Sequence, residues 1–272
     1  MKYKFNKGFS LAEVLIAVGI FAVALVFIAG VFPVGIHFTT VSADRTIAAV
    51  IADEAFAKVR LYSYVSKSDK RIDISEIETD RLRDFNDWYG ASFSVGAEEL
   101  TNEVLTYPST PDINVPQRRY CWSALCRHIE DRQVQVTIFI NRKAGFNRKY
   151  HRPDHSGFGS DDYGTDSGED SDWPFPVKVK VGLGFKDNEL RIENPDERTF
   201  INDGYTIVDD KTGKIYRVLE RYRPVAGDPG KERIILLDEE HNGNIDYVWV
   251  VPPPKTSGRC PCIAVYQRII RL

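Results

Sequence analysis

The sequence predicts an α+β protein in which a long N-terminal helix packs on an antiparallel sheet. Three patterns support this fold class. No charged residue occurs from Val14 to Ile36, so this stretch is one unbroken apolar segment. Apolar residues then recur at every third or fourth position to about Tyr64, which is the period of a helix buried on one side. Beyond that point, short alternating segments are separated by turn residues, as in antiparallel sheets.

The apolar segment is long enough to cross a membrane. About 23 residues at a rise of 1.5 Å per residue extend over roughly 34 Å, so we expect a transmembrane span at about residues 11–36. Lys2, Lys4 and Lys7 precede it, and no acidic residue occurs before Gly8. Since positive charge stays on the cytoplasmic side, the amino terminus is expected inside and the C-terminal domain outside.

Two ordinary explanations for this segment fit poorly. The apolar part of a secretory signal peptide has about 7–15 residues and ends at a small-x-small site. Here the run is longer, and Ala22-Val23-Ala24 lies in its middle. A plain membrane anchor leaves Glu13 unexplained, because a carboxylate in such a segment costs about 2–3 kcal/mol when centrally buried and less near an end. Glu13 therefore indicates a more specialised helix.

The stretch from Lys7 to Ile16, KGFSLAEVLI, resembles the prepilin cleavage and methylation motif of type IV pilins and pseudopilins. In that family, a membrane aspartyl peptidase cuts after the glycine, and the new amino-terminal phenylalanine is N-methylated. The resemblance implies cleavage between Gly8 and Phe9, N-methylation of Phe9 and a role in assembly for Glu13. It covers the amino-terminal part of the chain alone.

Electrostatics supplies a physical reason for the glutamate. Cleavage would create an α-amino cation on Phe9 in apolar surroundings, where an unpaired charge is costly. Glu13 lies one helical turn away and can neutralise this amine in its own chain or in a neighbouring subunit. In the second case, the pair also fixes the axial register of the two subunits, because one stagger alone brings both charges together.

The resemblance implies a structural subunit, not an enzyme, and we expect no cofactor. No G-x-S-x-G, H-E-x-x-H or phosphate-binding glycine motif occurs. The implied role is a minor pseudopilin of a type II secretion pseudopilus or a subunit of a type IV pilus, anchored by a single pass in the inner membrane. The implied partners are a prepilin peptidase, other pilins or pseudopilins, an inner-membrane assembly platform and membrane lipid. The alternative is a binding module displayed at a filament tip, as an adhesin or a DNA-uptake minor pilin.

The chain is expected to divide into a leader at residues 1–8, a helix at residues 9–65 and a periplasmic or extracellular globular domain at residues 66–272. Within the helix, residues at about 11–36 would span the membrane and those at about 40–65 would be amphipathic. The amphipathic stripe comprises Ile47, Ile51, Ala55, Val59 and Tyr62, with Val50 alongside.

The globular domain is predicted to contain a short helix near Ile74–Phe85 and then an antiparallel meander. One hairpin would join Tyr205–Val208 to Lys214–Leu219 through the turn Asp210-Lys211-Thr212-Gly213. A second would join Ile234–Leu237 to Ile245–Val251 through Asn242-Gly243, because Asn-Gly is a strong hairpin signal. Further strands are predicted at Arg119–His128, Gln133–Ile140, Val177–Phe185 and Cys262–Ile270.

The segment from Asn141 to Pro174 is predicted to be a long surface loop. It begins with basic residues and ends with acidic ones, and glycine and serine are frequent. Its basic half also contains Phe146 and Tyr150, a mixture that can hold single-stranded nucleic acid. The adjacent acidic run and the net charge of -3 argue against that use, so no nucleic-acid partner is expected.

Four cysteines, Cys121, Cys126, Cys260 and Cys262, lie beyond the apolar segment. An even number outside a membrane favours one or two disulfides, with three pairings that the sequence leaves open. Free thiols and a zinc site are the alternatives, although neither spacing is Cys-x-x-Cys. A weak calcium candidate comprises Asp238, Glu240, Asn242 and Asp246, with glycine at the sixth position of the loop. Trp249 stands where the bidentate glutamate belongs, so a simple turn is favoured and no metal is expected.

Overall fold

The structure, a computed structural model, describes residues 10–64, 82–84, 102–110, 112–130, 133–145, 147–154, 164–222, 233–241, 243, 245–256 and 258–271. The chain separates into two compact units, one up to Ile47 and the other from Ala48 onward. Helix α1, Leu11–Tyr64, runs through both and continues across Pro33. The expected long helix is therefore confirmed.

The second part of α1 belongs to the folded unit and buries one face. Its buried side chains are Ala48, Ile51, Ala52, Ala55, Phe56 and Val59. The predicted stripe is confirmed at its centre, since Ile51, Ala55 and Val59 are fully buried. Val50 was assigned wrongly, because its side chain is 52% exposed on the other side of the helix. The side chain of Tyr62, the last residue of the predicted stripe, lies outside the part of the chain that the structure describes.

A five-stranded antiparallel sheet follows α1. Its order is β1–β3–β4–β13, and β2 also pairs with β3. A short helix, α2 at Asn102–Leu105, precedes β2. The strands are β1 Arg83–Asp84, β2 Thr106–Tyr107, β3 Tyr120–Glu130, β4 Gln133–Arg142 and β13 Cys262–Arg271.

Six other strands close into an antiparallel barrel in the order β10–β11–β8–β7–β12–β9. Its interior holds valine, leucine and isoleucine from every strand, with Tyr205 and Tyr216. The strands are β7 Val177–Leu183, β8 Glu189–Ile192, β9 Thr206–Asp209, β10 Ile215–Arg221, β11 Ile234–Leu237 and β12 Tyr247–Val250. Two more strands, β5 Tyr150–Pro153 and β6 Asp166–Ser171, form a separate two-stranded sheet.

The sheet of the folded unit is covered on both faces. On one face, the Arg268 guanidinium lies 4.6 Å from the ring centre of Phe56 and pairs with Asp53 of α1 at 2.8 Å. On the other face, Leu125 and Phe139 share a buried cluster with Val208 and Trp249 of the barrel, and with Leu82 and Val251. The α+β class with antiparallel sheets is confirmed, whereas the barrel replaces the single meander that the sequence predicted.

The barrel lies between two strands that are themselves neighbours. β4 and β13 pair along their whole lengths, from Asn141 opposite Cys262 to Gln133 opposite Arg271. The chain from 143 to 261, which includes the barrel, thus leaves and returns at the same end of one strand pair. The barrel therefore stands in the chain where a hairpin loop would otherwise connect β4 to β13.

Three local predictions need correction. β11 and β12 do not form a hairpin: β11 pairs with β10 and β8, and β12 pairs with β7 and β9. The intervening segment is held elsewhere, because the His241 amide donates to the Asp187 carbonyl at 2.8 Å. The short helix expected near Ile74–Phe85 is wrong at Arg83–Asp84, which is a strand, and residues 74–81 lie outside the described part.

The β9–β10 hairpin is confirmed. Ile215 pairs with Val208 and Tyr216 pairs with Ile207. Gly213 has a φ of 70°, a left-handed conformation that this turn requires and that glycine adopts without strain. Its amide donates to the Asp209 carbonyl at 2.9 Å.

Candidate functional site

The start of α1 is closed by a reciprocal pair of hydrogen bonds. The Glu13 amide donates to Ser10 Oγ at 3.2 Å, and the Ser10 amide donates to Glu13 Oε2 at 2.9 Å. This is a capping box, which satisfies two amides that a helix start otherwise leaves without acceptors. The Ser-x-x-Glu spacing is the sequence signal for this cap, and it identifies Ser10 as a functional residue beside Glu13. Gly8 and Phe9 lie outside the described residues.

The cap places the Glu13 carboxylate at the backbone of Ser10, next in sequence to Phe9. The positive end of the helix dipole favours an acidic group at this position. An ionised carboxylate has about four acceptor positions, so the bond from Ser10 leaves capacity for further donors. The arrangement can therefore accept an ammonium group near the helix start without losing its cap.

The first part of α1 presents apolar side chains on all sides. Phe21, Phe27 and Phe32 are 64–69% exposed, and none of the most apolar window of the helix is buried. By length and composition, this helix can cross a membrane. Apolar surface of this extent is far larger than the patches that soluble proteins leave in water. The helix thus has the chemistry of a membrane anchor.

The segment predicted as a loop, Asn141–Pro174, is largely ordered. Asn141 and Arg142 end β4, and β5 and β6 pair with each other within the segment. Its basic and acidic halves face one another: Lys149 pairs with Asp172 at 2.8 Å, and Arg152 with Glu169 at 2.9 Å. Residues 155–163 lie outside the described part. These exposed pairs add little stability individually, but they cancel the basic charge that nucleic acid would need.

A less exposed pair joins the same two strands. His151 Nδ1 lies 2.8 Å from Asp166 Oδ2, and both side chains are about one-sixth exposed. The His151 ring also packs 4.2 Å from the ring centre of Phe200. Burial works to raise the pKa of Asp166, but the hydrogen bond and charge of His151 outweigh it and hold this pKa below its ordinary value. Glu197 shifts the other way, because burial raises its pKa and Asp166 adds to the rise.

None of the four cysteines forms a disulfide in the structure. Cys121 and Cys126 are buried, and Cys260 and Cys262 are half-buried. Cys121 and Cys126 lie five residues apart on β3 and therefore point to opposite faces. The pairing Cys121–Cys126, one of those that the spacing left open, is thus incompatible with the strand.

The calcium candidates do not converge in the part of the chain that the structure describes. Asp238 Oδ1 accepts from the Arg217 amide at 2.8 Å, while Asp246 pairs with Lys211 at 2.5 Å. Asn242 is outside the described residues. Among those described, no three His, Cys, Asp or Glu side chains form a group that could hold a metal ion.

Two polar clusters were not found from the sequence. Lys178 and Asp210 form a buried ion pair at 3.1 Å, with side chains 4% and 2% exposed, and the Trp249 indole donates to Asp210 at 2.6 Å. No sequence pattern distinguishes Lys178. On β7 it alternates with Val177 and Val179, whose side chains line the barrel interior, so a lysine here would be expected in solvent. The second cluster, on α1, joins Lys58 to Glu54 and to the Ser109 hydroxyl, each at 2.6 Å.

The serine in the second cluster is not set up as a nucleophile. A base that activates a hydroxyl must accept its proton, whereas Lys58 is a donor to the Ser109 hydroxyl and is paired with Glu54. Burial works to raise the pKa of Glu54, but the bonds from Lys58 and Ser109 hold it below its ordinary value. Lys58 also donates to the Val104 carbonyl at 2.8 Å. The cluster therefore ties α1 to the segment that contains α2 and β2.

Comparison with known proteins finds a family match at the start of the chain. Residues 3–29 match the family described as the prokaryotic N-terminal methylation motif, which is the type IV pilin signature. No curated protein and no solved structure matches the chain. The motif indicates a type IV pilin-like precursor that is processed by a prepilin peptidase and assembles with other pilins, and the motif family is structural. The long apolar helix fits a single-pass membrane anchor.

Proposed function

We propose that this protein is a minor pilin-like subunit, a pseudopilin of a type II secretion pseudopilus or a subunit of a type IV pilus. The observation that carries the proposal is the methylation motif at the head of a helix that is apolar on all sides. Neither feature is sufficient alone, since many membrane proteins have an apolar helix. Together they favour a precursor whose helix serves first as an anchor and then as the contact between subunits.

Processing is proposed at the junction between Gly8 and Phe9, followed by N-methylation of Phe9. The leader would comprise residues 1–8, and its three lysines would remain on the cytoplasmic side. The C-terminal domain would then lie in the periplasm or outside the cell. The proposed partners are the prepilin peptidase, the inner-membrane assembly platform, neighbouring pilins or pseudopilins, and membrane lipid.

Glu13 is proposed to neutralise the Phe9 amine of a neighbouring subunit during assembly. Its support is the capping geometry, which holds the carboxylate at the first turn and leaves acceptor positions available. Transfer of an unpaired amine into apolar surroundings is costly. A subunit that docks with the correct stagger avoids this cost, and one that docks out of register does not.

Mass spectrometry of the amino terminus tests the proposal. Protein isolated from cells with a prepilin peptidase should begin at Phe9 and carry one added methyl group. The same protein from cells that lack the peptidase should retain Met1 to Gly8. An amino terminus beyond Ala24, or an intact Met1 in the presence of the peptidase, would contradict the proposal.

The closed barrel favours a second function, a binding module displayed at a filament tip. The barrel has an apolar interior of its own and lies in the chain between two paired strands, whereas the proposed assembly depends on the helix. Replacement of exposed barrel side chains, such as Phe185 with 88% exposure, should then abolish adhesion or DNA uptake and leave filament formation intact. Loss of both activities, or of neither, would argue against this module.

A further inference from the structure

Lys178 and Asp210 bring an amine and a carboxyl group into contact inside the folded unit. Lys178 Nζ lies 3.1 Å from Asp210 Oδ2, and the two side chains are 4% and 2% exposed. Trp249 donates its indole N–H to Asp210 Oδ1 at 2.6 Å, and the centre of the Tyr247 ring lies 4.5 Å from Lys178 Nζ. The two reactive groups are thus flanked by aromatic rings and kept from bulk water.

Backbone contacts hold both residues in place. The Lys178 amide donates to the Gly164 carbonyl at 2.6 Å, and the Asp210 amide donates to the Tyr247 carbonyl at 3.1 Å. Strand β12 pairs with β7, which carries Lys178, and with β9, which precedes Asp210. Two groups fixed in this way have little encounter entropy left to lose, and well-oriented pairs in one molecule react as if present at about 10⁵–10⁸ M.

An ion pair is a costly state for these buried groups. Burial removes the hydration of both charges, and their mutual attraction offsets this loss only in part. A proton that moves from Lys178 Nζ to Asp210 Oδ2 removes both charges and leaves an amine beside a carboxylic acid. We propose that these two groups condense to an amide, which links β7 covalently to the residue after β9. The product is neutral, so it is less costly to bury than two ions.

The reaction is a condensation within the chain. After the first proton transfer, Lys178 Nζ attacks the Asp210 Cγ, and the π electrons of the carbonyl move to Oδ1. The Trp249 indole donates to this oxygen and so stabilises the charge that it gains. Nζ then gives a second proton to Oδ2, which leaves as water while the double bond from Cγ to Oδ1 forms again. Nζ keeps one hydrogen, and no other reactant is consumed.

The amide fixes the wall of the barrel that packs on the sheet. Val208 of β9 and Trp249 of β12 share a buried cluster with Leu125 and Phe139 of the sheet. With the amide in place, β7 and β9 cannot separate around β12 unless a covalent bond breaks. This inference concerns the folded domain and does not depend on leader cleavage or on assembly.

Mass spectrometry of the full chain, purified in detergent, tests the proposal. The intact mass should be one water molecule lower than that of the same chain without the link. Protease digestion should give one branched peptide that contains both Lys178 and Asp210. Recovery of these residues mainly in two separate, unmodified peptides would overturn the proposal. Since the unaltered chain is measured, the result does not depend on whether a variant folds.

Variants identify the groups that react. Asp210→Asn should give the same branched peptide, because an asparagine condenses with loss of ammonia in place of water. Lys178→Arg should retain the full mass, whereas Lys180→Arg, at an exposed position of the same strand, should link normally. Trp249→Phe should form the link about a hundredfold more slowly in a refolding time course, because it lacks the donor to Oδ1. A link in Lys178→Arg would refute the assignment of Lys178, and an unchanged rate in Trp249→Phe would refute the role of the indole.

Discussion

At the scale of single residues, Glu13 has one role that the structure shows, the helix cap, and one that we propose, the neutralisation of an amine during assembly. Its carboxylate caps the helix through the Ser10 amide, and it is also available to a cation at the helix start. A cap is a local effect of about 1 kcal/mol. An unmatched charge in apolar surroundings costs several times more. In the proposed function, charge neutralisation during assembly therefore contributes more free energy than the helix cap.

Variants at Ser10 and Glu13 separate these duties. Glu13→Ala and Glu13→Gln should both be cleaved normally but fail to assemble, because neither can neutralise an amine. Glu13→Gln keeps an oxygen that can accept from Ser10. Ser10→Ala removes the other half of the capping box, at a cost of about 1 kcal/mol, and should still assemble. Filament yield and immunoblots for the mature form measure the outcome, and normal assembly of Glu13→Gln would refute the charge argument.

At the scale of elements, β5 and β6 are joined to each other by charge and to the barrel by close packing. The His151–Asp166 pair lies across the two strands, and Gly164 begins the turn into β6. The Gly164 carbonyl accepts from the Lys178 amide at 2.6 Å, which attaches the turn to β7. Both attachments lie in the segment that the sequence predicted as a loop.

Acid should loosen this two-stranded sheet. The pKa of Asp166 is lower in the folded protein than its ordinary value of 3.8, chiefly because His151 outweighs the effect of burial. Its contribution to stability is therefore present above pH 3.8 and is lost as the pH falls through the lower value of the folded state. Hydrogen exchange at β5 and β6, measured from neutral pH to below 3.8, should show this loss.

Asp166→Asn supplies the control for the acid effect. This variant should exchange faster at neutral pH and show a smaller change on acidification, while Glu169→Gln, at an exposed pair, should behave like the unmodified protein. Lys255 and the Gly168 amide also face Asp166 and should retain part of the effect. An unchanged pH profile in Asp166→Asn would assign the acid response to other groups.

Gly164 and Gly168 offer a matched test of close packing. Both have positive φ angles, 79° and 76°, so alanine costs about 1–2 kcal/mol at either site. A Cβ at Gly164 would lie 2.4 Å from the buried Trp249 ring, whereas one at Gly168 meets no atom within 4 Å. Gly164→Ala should therefore cost a further ~1–3 kcal/mol in urea unfolding. Equal losses in the two variants would show that packing against Trp249 is unimportant.

At the scale of the whole molecule, α1 changes role along its length. Its side chains are exposed up to the middle of the helix and buried on one face from Ala48 onward. The first part therefore needs a membrane or other subunits to cover it, while the second part belongs to the core of the folded unit. The boundary between the two compact units falls at the same place, between Ile47 and Ala48.

Two truncations test this division. Removal of residues 1–40 should give a protein that is soluble without detergent and unfolds cooperatively, because every buried side chain of α1 remains. Removal of residues 1–60 also deletes Ile51, Phe56 and Val59, each worth about 1.5–3 kcal/mol of burial. That product should aggregate or lose its fold. Circular dichroism and gel filtration distinguish the two, and a folded product of the longer deletion would contradict the assigned core.

The sequence by itself determined the helix, its membrane-spanning character, the processing motif and the position of most strands. These features are local, since period and spacing within a few turns specify them. Tertiary structure decided which strands pair. The hairpin predicted at Asn242-Gly243 does not form, because β11 pairs with β10 and β8 whereas β12 pairs with β7 and β9.

The same distinction applies to the candidate sites. Ser10 and Glu13 are three residues apart, so their cap can be read from the sequence. Lys178 and Asp210 come together through strand pairing, which depends on contacts across the whole folded unit. For this protein, the sequence alone determined the methylation motif and the long apolar helix, and the tertiary structure decided which distant residues of the folded unit come together.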